Sequence, residues 1–164
     1  MNSISALIIT FNEEENIGKC ISSLNWCDEI IVFDSYSTDD TIKIAESLGA
    51  KIFQNKFLDF GTQRELARST IQWKSDWVIS VDADEQVDEE LSKEIKCIVN
   101  KKDNNHVAYK VRRKDYFLGN GLSEHHYIHL GTFDYLNTST LNMKFAPYMN
   151  IRLLMDQLVC LQDI

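Results

Sequence analysis

The chain has 164 residues, enough for one domain with an adequate core, and its 44% hydrophobic and 26% charged residues are ordinary for a globular protein. A net charge of −8, with no long basic block to offset it, argues against non-specific binding to nucleic acid or to an anionic membrane surface. The four cysteines (Cys20, Cys27, Cys97, Cys160) are scattered with no C-x-x-C pair, and they read as reduced, mostly buried thiols rather than a disulfide framework or zinc site.

The N-terminus carries no basic n-region, and the apolar run Ala6 to Ile9 is too short for a signal peptide or a membrane span. The expectation is a cytoplasmic protein. Ile4 to Thr10 is a β-branched and apolar run, read as a first, central strand. Asn12 is expected to cap the following helix, with Glu13, Glu14 and Glu15 in its first turn complementing the helix dipole. Ile17, Cys20, Ile21 and Leu24 repeat at helical spacing, and that helix ends near Asn25. Glu29–Asp34 is a second buried strand closed by a carboxylate, followed by the cap-rich loop Ser35–Asp40. A helix from about Asp40 to Leu48 stops at Gly49, and Lys51–Phe53 is a short third strand. After an irregular stretch around Phe57 to Gly61, a helix runs from about Thr62 to Gln72.

Trp77 to Val81 reads as a strand buried on both faces, and it delivers Asp82 and Asp84, with Glu85 beside them. A helix follows with Val87, Leu91, Ile95 and Ile98 on one face, and Val107 to Arg113 alternates as a half-buried strand. Short strands alternating with helices predict an α/β fold with a mostly parallel sheet covered on both faces. Three of its strands end in polar clusters, Thr10–Glu13, Asp34–Asp40 and Asp82–Glu85, and in a parallel sheet these ends share one edge. A single acidic turn could simply cap the helix from Asp88 onward. Three convergent ones make a site.

The chain has no G-x-G-x-x-G or Walker loop, so bound phosphates would be held through a metal and cationic side chains. Asp82 and Asp84 are hard oxygen ligands suited to Mg²⁺ or Mn²⁺, which substrate phosphates commonly complete. Gln63-Arg64 or Arg68 could bring a cation, while Asp34 and Glu13 could accept hydrogen bonds from a base and ribose. The sum is a metal-dependent nucleotide or nucleotide-sugar site.

Ile9-Thr-Phe-Asn-Glu-Glu-Glu-Asn-Ile17, Asp34-Ser-Tyr-Ser-Thr-Asp-Asp-Thr41 and Val81-Asp-Ala-Asp-Glu85 together resemble the family 2 glycosyltransferases of the GT-A fold. The likeness covers about residues 4 to 119, and it is closest to the bacterial branch that extends lipopolysaccharide core or other cell-surface glycans. It implies transfer from a nucleoside-diphosphate sugar to a glycan or glycolipid acceptor, at the inner face of the membrane with at most peripheral contact. It also implies that Thr10, Asn12 and Glu13 lie beside the nucleoside, Asp34 at the base and Arg64 near the nucleotide. Asp82 would lie toward the ribose or metal, and Asp84 would bind the divalent cation (Mg or Mn) bridging the diphosphate.

Other classes fit less well. An EF-hand loop starting at Asp82 would have Val87 where glycine belongs and Lys93 where the closing glutamate belongs. An aspartyl-nucleophile phosphatase carries Asp-x-Asp on its first strand with Thr or Val two residues on, whereas here the motif follows the fourth strand and Gln86 stands there. A nucleotide-sugar-binding remnant without turnover is the nearer alternative.

Lys110 to Gly119 still resembles the family, but Asn120-Gly-Leu-Ser-Glu-His-His-Tyr-Ile-His129 does not. His125, His126 and His129 are surface-loop residues on the plainest reading. If one base was lost after codon 119, the codons read from each third base onward permit Trp, then Tyr-Pro, then Arg-Leu-Phe at the family's spacing. Residues 1–119 are thus read as a nucleotide-sugar-binding domain and 120–164 as a truncating, out-of-frame tail, with Leu136 to Ile164 irregular. In the family the general base lies in that C-terminal part, so the catalytic base is unknown and is expected to be missing here. The gene's nucleotide sequence tests the idea, which is wrong if no family-like frame continues beyond codon 119.

Overall fold

A computed structural model describes residues 1–101 and four strands beyond them, at 108–112, 115–117, 120–122 and 127–132. Its elements in chain order are β1 (Ile4–Thr10), α1 (Ile17–Ser23), β2 (Glu29–Asp34), α2 (Thr41–Ser47), β3 (Lys51–Gln54), α3 (Phe60–Thr70), β4 (Trp77–Asp82), α4 (Glu89–Val99), β5 (Ala108–Arg112), β6 (Asp115–Phe117), β7 (Asn120–Leu122) and β8 (Tyr127–Thr132). The main sheet has the order β3-β2-β1-β4-β8-β5, and β6 pairs with β7 in a separate hairpin. Strands β3, β2, β1 and β4 are mutually parallel, and β8 runs antiparallel to both β4 and β5. The expected mostly parallel α/β sheet is present. The placement of β8 between β4 and β5 is new: it comes from the segment in which the sequence suggested no element.

Every residue of β1 is buried, which suits its apolar, β-branched composition and its place with a parallel neighbour on each side. Alternate residues supply two cores. Ile4, Ala6 and Ile8 pack with Ile17, Cys20, Ile21 and Leu24 of α1, Ala45 of α2, and Ile95, Ile98 and Val99 of α4. Leu7 and Ile9 pack with Ile31, Phe33 and Val78 against Ala67 of α3 and nearby Ile71. Trp77 stacks on Tyr109 at a centroid distance of 5.5 Å, tying β4 to β5 across the intervening strand. Among the described residues no helix is long and apolar enough to cross a membrane.

Three helix ends follow local chemistry, with one exception to the expected caps. Asp59 caps α3 by accepting from Thr62 N at 2.8 Å, and Asp88 caps α4 by accepting from Leu91 N at 2.8 Å. Gly49, at φ 82°, closes α2 in a Schellman arrangement, with Gly49 N donating to Glu46 O and Ala50 N to Ala45 O. The exception is Asn12. Helix α1 begins at Ile17 behind Asn16, no acidic residue lies in its first turn, and Asn12 stands outside it in the left-handed region at φ 53°. The expected cap therefore does not form, because that side chain is used elsewhere, as shown below. The irregular stretch at Leu136 to Ile164, with Pro147 and Cys160, lies outside the described residues.

Ile8 is fully buried in the central strand. Ile8→Ala is expected to lower unfolding stability by about 2–5 kcal/mol through lost burial and a residual cavity, read from the midpoint of urea denaturation at constant m-value.

Candidate functional site

The parallel registers fix which residues meet at the C-terminal edge of the sheet. Thr10 lies opposite Asp34, and Ile9 lies opposite Asp82. The loops leaving these three strands are therefore neighbours, as the sequence suggested.

The loops after β1 and β2 are laced together. Asn12 N donates to Ser37 Oγ at 2.8 Å, and Asn12 Oδ1 accepts from Thr38 N at 2.8 Å. Glu13 N donates to Thr41 Oγ1 at 2.8 Å, while Asp40 N donates to Glu14 Oε2 at 3.0 Å. Asparagine tolerates the left-handed conformation better than most residues, and that conformation turns its amide toward the neighbouring loop. Glu13 also accepts from Asn16 Nδ2 at 2.8 Å, so its carboxylate steadies the approach to α1.

Asp34 is fully buried, and its carboxylate accepts from Ser37 N at 2.9 Å, from Gln54 Nε2 at 3.1 Å and from Ser37 Oγ. A buried carboxylate needs such donors, and here they come from its own loop and the next strand. Thr10 Oγ1 beside it is buried without a hydrogen-bond partner among the described residues.

On the α3 side of the edge, Arg64 Nη2 donates to Asp82 Oδ1 at 2.8 Å, with both side chains 40% exposed. Gln63, fully buried, donates from Nε2 to Ser35 Oγ at 2.9 Å and so pins α3 to the end of β2. Arg68, one turn on, pairs instead with Glu65. The turn after β4 is held by Glu85, buried, whose Oε2 accepts from Asp82 N at 2.8 Å. Asp84 points outward: it is exposed and has no hydrogen bond or ion pair among the described residues.

Cys20 of α1 sits under this turn, with its Sγ donating to Asp82 O at 3.7 Å. Burial pushes its thiol up to about 12, and the negative charges of Glu85, Asp84 and Asp82 push in the same direction. Among the described residues no group of three or more His, Cys, Asp or Glu side chains is arranged to hold a metal ion. A cation here would have two carboxylates from the chain and other ligands from a substrate, the usual arrangement for Mg²⁺ with phosphates. A groove of about 580 Å³ between α1 and this turn is lined by Glu14, Lys19, Ser23 and Gln86, among others, but by neither Asp82 nor Asp84. Carboxylate geometry, not enclosed volume, marks the site.

The sequence therefore located Thr10, Asn12, Glu13, Asp34, Arg64, Asp82 and Asp84 on one rim. It missed Ser37 and Gln63, whose hydrogen bonds shape that rim, and the exposed aromatic rings of Phe11 and Tyr36 beside it. Only the cap-rich character of 35–40 hinted at Ser37. Nothing in the local pattern marked Gln63, because its partner lies 28 positions away.

A parallel four-stranded sheet flanked by helices is the fold of the GT-A glycosyltransferases. The crystal structure of glucosyl-3-phosphoglycerate synthase from Mycobacterium tuberculosis in complex with UDP superposes with a TM-score of 0.61 at 20% identity, over 81% of this chain and 57% of that one. The same enzyme with Mn²⁺, UDP and glucosyl-3-phosphoglycerate gives 0.53 at 23%, over 68% and 44%. The chain matches the family model "Glycosyl transferase family 2" over residues 5–156, and it belongs to that family of transferases. An uncharacterized glycosyltransferase of Rickettsia typhi is 37% identical over 92% of this chain and 50% of its own length. The lipopolysaccharide core biosynthesis glycosyltransferase LpsC of Rhizobium meliloti is 33% identical over 72% of this chain and 44% of its own. The chain thus spans about half the length of these relatives or less.

Two outcomes follow from this geometry. Asn12→Ala should cost about 1–3 kcal/mol, from the left-handed backbone and the lost bond to Thr38, whereas Asn12→Gly should cost less. Equal midpoints for the two variants in urea would contradict the assigned backbone role. In native protein at pH 8, iodoacetamide should label exposed Cys97 and spare Cys20 and Cys27. Burial pushes Cys27 up to about 12 as well, so both thiols stay protonated and unreactive well above neutral pH. Peptide mapping by mass spectrometry reads the pattern.

Proposed function

We propose that the chain carries the donor-binding part of a metal-dependent glycosyltransferase, one that moves a sugar from a nucleoside-diphosphate sugar to a glycan or glycolipid acceptor such as lipopolysaccharide core. The observation that carries this reading is the exposed carboxylate of Asp84, without a partner among the described residues, beside Asp82 on the rim that also holds Thr10 and Asp34. Family membership, the likeness to mycobacterial structures in complex with UDP and Mn²⁺, and the likeness to the rhizobial lipopolysaccharide core glycosyltransferase support it.

In this reading Asp84 and Asp82 hold a divalent cation, Mg²⁺ or Mn²⁺. Their two hard oxygen donors fit that group. Bound there, the cation supplies charge neutralisation for the diphosphate as the sugar departs. Arg64 lies near the diphosphate, and its planar guanidinium suits phosphate oxygens. Thr10 Oγ1, buried without a partner among the described residues, is a hydrogen-bonding atom available to the nucleoside. Asn12 and Glu13 shape that wall through the neighbouring loop, and Asp34 holds the loop by accepting from Ser37. No carboxylate among the described residues is proposed as the base that takes the acceptor's proton. An acceptor anchored in a lipid would place the protein at the cytoplasmic face of a membrane, in peripheral contact at most. A frame change after residue 119 is a proposal about the gene. The family match runs to residue 156 and β8 lies beyond 119, so the nucleotide sequence decides that point.

Calorimetric titration with UDP, with and without Mn²⁺, tests the reading. Mn²⁺ should strengthen UDP binding, and Asp84→Ala should lose roughly tenfold or more of that affinity while keeping its melting temperature. UDP binding that ignores both the cation and the substitution would sink the proposal.

A further inference from the structure

The ion pair between Arg64 and Asp82 has a consequence for the order in which ligands bind. Arg64 cannot lose its charge at accessible pH, so Asp82 carries a permanent positive neighbour at 2.8 Å. The helix that brings it is fixed at three points: the Asp59 cap, the Gln63–Ser35 hydrogen bond, and Ala67 packed fully buried against the sheet. The guanidinium therefore moves by its own side-chain torsions and not by shifting α3. Both members of the pair are 40% exposed, so water screens it and it is weak enough to exchange. One residue beyond Ala83, Asp84 has no such counter-charge among the described residues.

We infer that Arg64 competes with the divalent cation for Asp82, and that a diphosphate resolves the competition by drawing the guanidinium onto its own oxygens. This rests on the donor and cation reading above. A guanidinium and a divalent cation on one carboxylate repel each other, so the cation alone binds against Arg64. A nucleoside diphosphate offers Arg64 paired phosphate oxygens, which it contacts in bidentate fashion, and so frees Asp82 for the cation. Nucleotide and cation thereby strengthen each other's binding, by the same factor in either order. Arg64 is in this account a positioning residue for the cation site as well as a contact for the nucleotide.

The test is Mn²⁺ titrated alone, and then with UDP, into the full chain and into its Arg64→Met and Arg64→Gln variants, with Asp84→Ala as the site control. Melting temperatures report whether each variant is folded. Mn²⁺ alone should bind both Arg64 variants about two- to fivefold tighter than the unsubstituted chain, the loss of an exposed ion pair read as a gain for its competitor. The factor by which UDP strengthens Mn²⁺ binding should shrink in the same variants, and Asp84→Ala should bind Mn²⁺ weakly throughout. Unchanged or weaker Mn²⁺ affinity in either folded Arg64 variant overturns the inference, as does the absence of Mn²⁺ binding in every chain. Failure of the donor reading looks different: UDP then does not bind the unsubstituted chain, while the comparison with Mn²⁺ alone still decides the competition.

Discussion

The rest of the molecule depends on the register with which β1 pairs to β2 and β4. A strand buried on both faces tolerates no slip, because a shift of one residue would exchange the two cores packed against it. That constraint is set by Ile4, Ala6 and Ile8 on one side and Leu7 and Ile9 on the other. Its functional product is at the end of the strands, where Thr10 falls beside Asp34, and Ile9 beside Asp82. Hydrophobic packing in the middle of the sheet thus fixes polar geometry at its edge.

At that edge each carboxylate is handled differently, and the differences sort structural roles from chemical ones. Asp34 is buried and saturated by Ser37 and Gln54, so it acts as a rigid part of the loop wall. Glu85 is buried and spends its carboxylate on the backbone of Asp82, keeping the turn closed. Asp82 is half exposed and balanced by one arginine. Asp84 is exposed and balanced by nothing among the described residues. Desolvating a charge is costly unless partners compensate, so the deeper carboxylates carry more donors and the outermost is left for something else.

The sheet also divides the site. Helices α1, α2 and α4 pack on one face and α3 on the other, with Gln63 and Arg64 carried on α3. Helix α3 therefore brings a cation, Arg64, to the acidic turn. Its position depends on Gln63 reaching Ser35 as much as on Ala67 and Ile71 packing below. A cluster assembled from both faces of a sheet holds its spacing only as well as the sheet holds its register.

Much of this was legible in the residues themselves. Apolar runs of strand length, helical spacing from Ile17 to Leu24, Gly49 and the cap at Asp88 are local signals, and the elements they predict are present. The convergence of three acidic strand ends followed from the alternation of strands and helices alone. What the sequence by itself could not decide were the contacts between distant segments. Asn12 looks like a helix cap because capping is a local pattern, yet it bonds Thr38 across two loops and takes the left-handed conformation to do so. Whether Arg64 or Arg68 faced the acidic turn depended on how α3 rolls on the sheet, which Gln63 and Ala67 settle together. The entry of β8 between β4 and β5, antiparallel to both, depended on backbone hydrogen bonds open on strands far apart in the chain. Local pattern determined the elements and the chemical types at their ends; long-range hydrogen bonding and packing decided which of those groups are buried in hydrogen bonds and which stay exposed.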